Sequence, residues 1–201
     1  IIAYETQQED SWQNDLLLAA GTADAGGNFP QDCDRLAAQL GENRAVQRID
    51  LESLGLESAR QTLRNALAEG SRVLTYVGHG AHDRLGRRGL LTTVDVDGLS
   101  NAPHLPLLVA ATCIAGDFSV PGRDSLAEEL VRHPTGGCIA AYAPITMSFN
   151  EDSNALVREF LDVLASGHTP CLGDAVLNAI RELQEAPESR GGTATEAARL
   201  F

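Results

Sequence analysis

Val73-Leu74-Thr75-Tyr76-Val77-Gly78-His79-Gly80 and Leu107-Leu108-Val109-Ala110-Ala111-Thr112-Cys113 share one layout: a nearly unbroken apolar run, then a turn-forming or reactive residue. An apolar run without polar alternation is what a strand needs when both faces of its sheet are covered, the usual condition of a parallel sheet. In open α/β sheets, ligand sites form just beyond the carboxyl ends of such strands. This chain puts a histidine at one strand end and a cysteine at another, the two groups that a thiol nucleophile and its proton partner require.

Working outward, strand patterns alternate with helix patterns. Asp15 to Ala20 reads as a strand leading into the Gly/Asp-rich loop Gly21 to Pro30, and Asp32 to Leu40 as a helix stopped by Gly41. Val46 to Leu51 is the second strand. Ser58 to Glu69 is a helix with Ala59, Leu63, Ala66 and Leu67 on one face and Gly70 as its end. After His79 comes a long loop, then the strand that ends at Cys113. Ser125 and Glu128 have capping-box spacing and open the next helix. Cys138 to Ala143 reads as a fifth buried strand, and Ser153 to Ala165 and Leu172 to Leu183 as amphipathic helices. Strands separated by helices are joined by right-handed crossovers and lie parallel. The expectation is α/β: about five parallel strands between two helical layers.

The 201 residues fit one domain, taken as 1–201, large enough for a substantial core. A net charge of −13 without a large Lys/Arg cluster argues against a nucleic-acid partner. No apolar stretch is long enough to cross a bilayer, so no membrane span is expected. The start, Ile1-Ile2-Ala3-Tyr4, lacks the basic-then-apolar order of a secretion signal. Of the four cysteines none forms a Cys-x-x-Cys pair, which argues against a zinc knuckle or a disulfide framework. Cys138, inside an apolar run, reads as a small buried hydrophobe. Cys33 and Cys171 stand near helix starts.

Several residues admit two readings. His79 lies between glycines, which permit a sharp turn and close approach of a substrate, but such a setting also suits an ordinary loop histidine. Cys113 at a strand tip is either a partly exposed thiol that an imidazole can activate or a cysteine closing the top of the core. Asp95-Val96-Asp97-Gly98, His82 and His104 invite a metal reading, yet their spacing fits neither an EF-hand nor a standard zinc site, and no metal or cofactor is expected.

Together, Tyr76-Val77-Gly78-His79-Gly80 and Leu105 through Cys113-Ile114-Ala115-Gly116-Asp117-Phe118 resemble the gingipain family of cysteine peptidases, within the wider caspase-like clan. Ser125 to Leu130, Gly136 to Ala141 and the front from Leu16 to Leu40 are similar to it in outline. The resemblance implies a caspase-like three-layer sandwich acting on a protein or peptide substrate. It makes Cys113 the nucleophile and His79 the general acid, with the backbone N–H groups of Gly80 and Cys113 as the oxyanion hole. It implies an acid that orients the histidine; the matching position is Thr22, and Asp24 beside it is the candidate, its other reading being an Asx-turn residue. It implies an acid in the specificity pocket of members that cleave after arginine. Asp32 is the closest match and Asp34 the next, the alternative for Asp32 being a helix N-cap. Met147-Ser148-Phe149 resembles the pocket wall, with Phe149 over the substrate side chain or else in the core. The family continues past a Leu-Phe pair, whereas this chain stops at Leu200-Phe201, which suggests one domain of a larger chain. Members are often secreted, though nothing in this sequence marks export. Two other classes remain open: a catalytically inactive scaffold domain, and a metal-dependent hydrolase using His79, His82 and an aspartate.

Overall fold

Five parallel strands make the central sheet of the computed structural model, which describes residues 4, 6, 11–40, 45–167 and 171–185. They are β1 (Leu16–Ala20), β2 (Val46–Asp50), β3 (Val73–Val77), β7 (Leu107–Ala111) and β8 (Ala140–Tyr142), in spatial order β2-β1-β3-β7-β8. All five residues of β1, β3 and β7 are buried, as continuous apolar runs covered on both faces should be.

The two faces part cleanly by residue parity. Leu17, Ala19, Leu74, Tyr76, Leu108 and Ala110 enter one core with Ala59, Leu63, Ala66 and Leu67 of α3 (Leu56–Glu69) and Leu126 and Leu130 of α5 (Leu126–Arg132). Leu16, Leu18, Ala20, Val73, Val77, Val109 and Ala111 enter the other, against α1 (Phe29–Leu40), α6 (Asn150–Ser166) and α7 (Leu172–Glu185). There Phe160 is fully buried and packs on Tyr142 with ring centroids 4.5 Å apart, a contact worth on the order of 1 kcal/mol beyond its area. The result is a three-layer α/β sandwich.

Four details differ from the sequence-based expectation. The first main helix starts at Phe29, not Asp32; Asn28 takes the capping role, its side-chain oxygen accepting from the Gln31 N–H at 3.3 Å. Asp32 is therefore inside the first turn and is not an N-cap. The long loop after His79 holds a three-stranded antiparallel sheet, β4 (Gly80–Ala81), β5 (Arg84–Leu85) and β6 (Leu91–Thr92), followed by α4 (Thr93–Val96). Two-residue strands carry no periodicity to read. A short helix, α2 (Leu51–Leu54), follows β2 directly, and β8 spans only three residues. The carboxyl ends are level: Ala20, Val77 and Ala111 occupy one rung. The loops after β1, β3 and β7 thus leave from the same edge.

Candidate active site

Val77 pairs with Ala111, so His79 and Cys113 each stand two residues past the same rung of adjacent strands. The Gly78 N–H donates to the Ala111 carbonyl at 3.1 Å and extends the pairing one step. The His79 carbonyl accepts from the Gly86 N–H at 2.7 Å and from the Tyr76 hydroxyl at 2.8 Å. Tyr76 is fully buried, so this second bond anchors the histidine backbone to the core. In a trans peptide the carbonyl of one residue and the N–H of the next point in opposite directions. The Gly80 N–H is therefore turned away from β5. A side chain at position 80 has no room: a Cβ there falls 2.2 Å from Thr112 Oγ1 and 3.2 Å from the Cys113 carbonyl oxygen. Glycine is what lets the two strand tips close.

The His79 ring is held from three sides. The Phe29 ring meets it edge-on, centroids 5.1 Å apart at 80°. Gly26 lies against it so closely that a Cβ would sit 2.8 Å from Cε1. Nε2 is 3.0 and 3.1 Å from the two carboxylate oxygens of Asp24. Asp24 is at the same time the Asx-turn residue of its loop: Oδ1 accepts from the Gly26 N–H at 2.7 Å, and its backbone bridges to Gly27. The two readings of Asp24 are one arrangement, in which the turn aims the carboxylate at the imidazole. That carboxyl is held below its ordinary range, first by the Gly26 N–H, then by His79, with Arg87 adding a smaller Coulombic part. Thr22, the matching position for an orienting acid, is exposed. Arg87, which no sequence pattern singles out, reaches into the same place, its Nη2 3.1 Å from His79 Nε2 and 3.2 Å from Asp24 Oδ2.

Cys113 is partly buried, neither entombed nor fully exposed. Its thiol donates to the Ser148 carbonyl at 3.6 Å, and the Ser148 hydroxyl donates to the Thr112 carbonyl at 2.5 Å. Ile114, the next residue, has φ +43, a left-handed conformation that a β-branched side chain rarely adopts. Its N–H donates to Thr146 at 3.1 Å, and Gly116 donates to Pro144 at 3.0 Å. These bonds strap the turn after the cysteine to the loop after β8. By contrast, burial pushes the thiols of Cys33 and Cys138 up to about 12, holding both protonated at neutral pH. Cys171 is exposed, its thiol donating to the Asp174 carboxylate at 2.9 Å.

Beside the histidine opens a groove of about 640 Å³ that brings together Asp24, Asp32, Arg35, Phe149 and Glu151. Phe149 is 80% exposed and lies outside the core, so the core reading of it is wrong. It ends a stretch whose Ser148 touches the Cys113 thiol and which is 69% exposed at Met147. Asp32 is 12% exposed at its side chain and already occupied. Oδ2 accepts from Asn150 at 2.8 Å and Asn154 at 3.3 Å, and Oδ1 pairs with Arg35 at 3.1 Å. Asp34 pairs instead with Arg48 at 2.8 Å, apart from the residues lining the groove. The acidic segment from Asp95 is structural: Asp95 completes a capping box with Thr92 and pairs with Arg60. His82 is buried, and His104 stacks on Trp12 with centroids 5.1 Å apart. Among the described residues no three His, Cys, Asp or Glu side chains are gathered as a metal site, and no helix is long and apolar enough to cross a membrane.

The family model for Peptidase family C25 matches residues 1–201. A search of curated proteins by sequence returns no match. Among solved structures, the Arg-specific cysteine proteinase gingipain R superposes with a TM-score of 0.77 at 20% identity, over 96% of this chain and 46% of that one. The complex of the pro- and mature domains of RgpB from Porphyromonas gingivalis gives 0.76 at 20% identity, over 96% and 47%. A structure described only as a protease gives 0.60 over 76% of this chain and 34% of its own. The chain thus spans about half the length of the gingipain chains it matches, and it shares their fold. On the match along its whole length, the chain belongs to peptidase family C25, a family of cysteine peptidases whose gingipain members carry this caspase-like α/β sandwich.

Proposed function

We propose that this chain is a cysteine endopeptidase working through an acyl-enzyme, with Cys113 as nucleophile and His79 as its proton partner. The observation that carries the reading is the shared rung: His79 and Cys113 leave adjacent strand tips level with each other, and a carboxylate holds Nε2 of the imidazole. Nε2 is engaged by Asp24, which leaves Nδ1 for the reaction; Nδ1 has no partner among the described residues.

Those positions support the following steps. Nδ1 takes the thiol proton, and the thiolate attacks the scissile carbonyl carbon, forming a C–S bond and an oxyanion. Asp24 favours the resulting imidazolium. The N–H groups of Gly80 and Cys113 receive the oxyanion, and a fixed donor of this kind is worth about 3 kcal/mol. The tetrahedral adduct collapses with C–N cleavage as the imidazolium gives its proton to the leaving amine. Water, deprotonated by the now neutral ring, then hydrolyses the thioester and releases the carboxylic acid and the free thiol.

For selectivity we read the groove as a subsite for a basic side chain, because Asp24, Asp32 and Glu151 outnumber its one cation, Arg35. Asp32 is the acid at its base and Phe149 its apolar wall. Arg35, 63% exposed at its side chain, is the partner that a substrate guanidinium has to displace. By the same reading the substrate is a protein or peptide, and the chain acts alongside other domains of a larger protein. The test is Cys113→Ala assayed on a peptide library with each residue type before the scissile bond. Complete loss of cleavage is expected, and turnover equal to the parent would remove the assignment. Asp32→Asn, expected to lose preference for basic residues selectively, tests the subsite separately.

A further inference from the structure

Arg87 and Asp24 make conflicting demands on one nitrogen. Arg87 Nη2, His79 Nε2 and Asp24 Oδ2 form a nearly equilateral triangle with sides of 3.0, 3.1 and 3.2 Å. A neutral imidazole carries one proton, and each of its nitrogens is then either a donor or an acceptor. If Nε2 bears the proton it donates to Asp24, and the Arg87 N–H gives up the ring nitrogen for the Asp24 carboxylate, 3.2 Å away. If Nε2 bears the lone pair it accepts from Arg87, and the Asp24 carboxylate faces a lone pair. Only one of the two contacts can be a hydrogen bond at a time.

We propose that Arg87 is a positioning residue that competes with Asp24 for His79 Nε2 and so sets the tautomer of the ring. The proposal rests on the reading of His79 as the proton partner of Cys113, because it assigns a consequence to each tautomer. With Nε2–H donating to Asp24, Nδ1 is bare and able to take the thiol proton. With Nε2 accepting from Arg87, the proton sits on Nδ1 and the ring has no base to offer the thiol. Arg87 thus holds a fraction of the molecules in an unproductive resting form, and the productive form is reached when its guanidinium leaves.

The geometry allows that departure. Arg87 is 68% exposed at its side chain and stands on the loop between β5 and β6, with Asp24 and His79 as its described side-chain partners. Gly86 beside it is fixed by its N–H to the His79 carbonyl, so the loop stays in place while the side chain swings. The charged groups facing the ring are Asp24, from the loop after β1, and Arg87. The adjacent strand tip, that of β7, carries Cys113 two residues past the shared rung, and α1 contributes the Phe29 ring.

The test is ¹⁵N NMR of the imidazole nitrogens at a pH where the rings are neutral, in the parent chain and in Arg87→Ala, Arg87→Gln and Arg87→Lys. His79 is assigned by its loss in His79→Gln. In the parent, Nε2 is expected at a shift between the protonated and bare values. In Arg87→Ala and Arg87→Gln it moves to the protonated value and Nδ1 to the bare one, and Arg87→Lys lies between. Equal Nε2 protonation in the parent and Arg87→Ala overturns the proposal. This readout stands whether or not the chain cleaves peptides. Where cleavage is present, the gain in kcat/KM equals the inverse of the productive fraction, about twofold if half the rings rest on Arg87. A mere loop-holding role predicts instead a loss of activity with no change of tautomer, and that result also overturns the proposal.

Discussion

Gly80→Ala is the substitution on which the account makes its sharpest demand. The new methyl would stand 2.2 Å from Thr112 Oγ1 and 3.2 Å from both Thr112 Cγ2 and the Cys113 carbonyl, where ordinary contact begins at 3.4 Å. Thr112 cannot turn aside freely. Two of its three staggered rotamers present a heavy atom to position 80, and the residue is only 3% exposed, so the third moves into packed surroundings. The strand tips must part by about 1 Å, and a displacement of that size costs roughly 10²-fold in a site that depends on fixed geometry. The same shift draws the Gly80 N–H off the oxyanion, a loss in the range of about 10²- to 10³-fold in kcat. Gly80→Ala is therefore expected to lower kcat by about two to three orders of magnitude with little change in KM. Thermal unfolding, measured alongside, separates this from global unfolding. The double variant Gly80→Ala/Thr112→Ala removes the worst contacts and should recover at least tenfold. A Gly80→Ala enzyme within twofold of the parent, or a double variant no better than the single, would refute the steric argument.

Other consequences can be checked on the same protein. Iodoacetamide applied to the native chain at neutral pH should label Cys113 and Cys171 and spare Cys33 and Cys138, whose thiols burial holds up to about 12; peptide mapping reads the outcome, and rapid labelling of Cys138 would contradict the packing described. Those two buried thiols also set an alkaline limit. Unfolded, they ionise near 9, whereas folded they stay protonated to about 12. Their contribution is therefore whole below 9 and falls between pH 9 and 12, by about 1.4 kcal/mol per unit for each thiol. Urea unfolding across that window should steepen less with pH in Cys138→Ala. Asp24→Asn keeps the turn to Gly26 but loses the charge beside Nε2; kcat should fall by roughly 10²-fold or less, the lower part of the range for acid–base groups, because the carboxylate is one-third exposed.

The sheet could be read from the sequence because its three inner strands are buried on both faces, which leaves apolar runs such as Leu16 to Ala20 and Leu107 to Ala111, broken only by Thr75 in β3. The placement of the histidine and cysteine was legible for the same reason: each stands two residues past such a run, and parallel pairing brings the run ends level. Boundaries were less so. Phe29 and Pro30 precede the acidic residue that looked like a helix start, and Asn28 caps them. The small antiparallel sheet escaped because no period is visible in two residues. The contacts that complete the site are properties of the closed fold. The Asx turn at Asp24 meets His79 across 55 residues of chain. Tyr76 looks like a plain strand residue until its hydroxyl is found on the His79 carbonyl. The strain at Ile114 and the reach of Arg87 have no sequence signature at all.

Intact-mass spectrometry of the chain quenched during turnover of an activated peptide ester tests the covalent step itself. The account predicts an adduct equal to the acyl part of the substrate, mapped to Cys113, absent in Cys113→Ala and strongly reduced in His79→Gln. Turnover with the acyl group on another residue, or undiminished hydrolysis by Cys113→Ala, would contradict it.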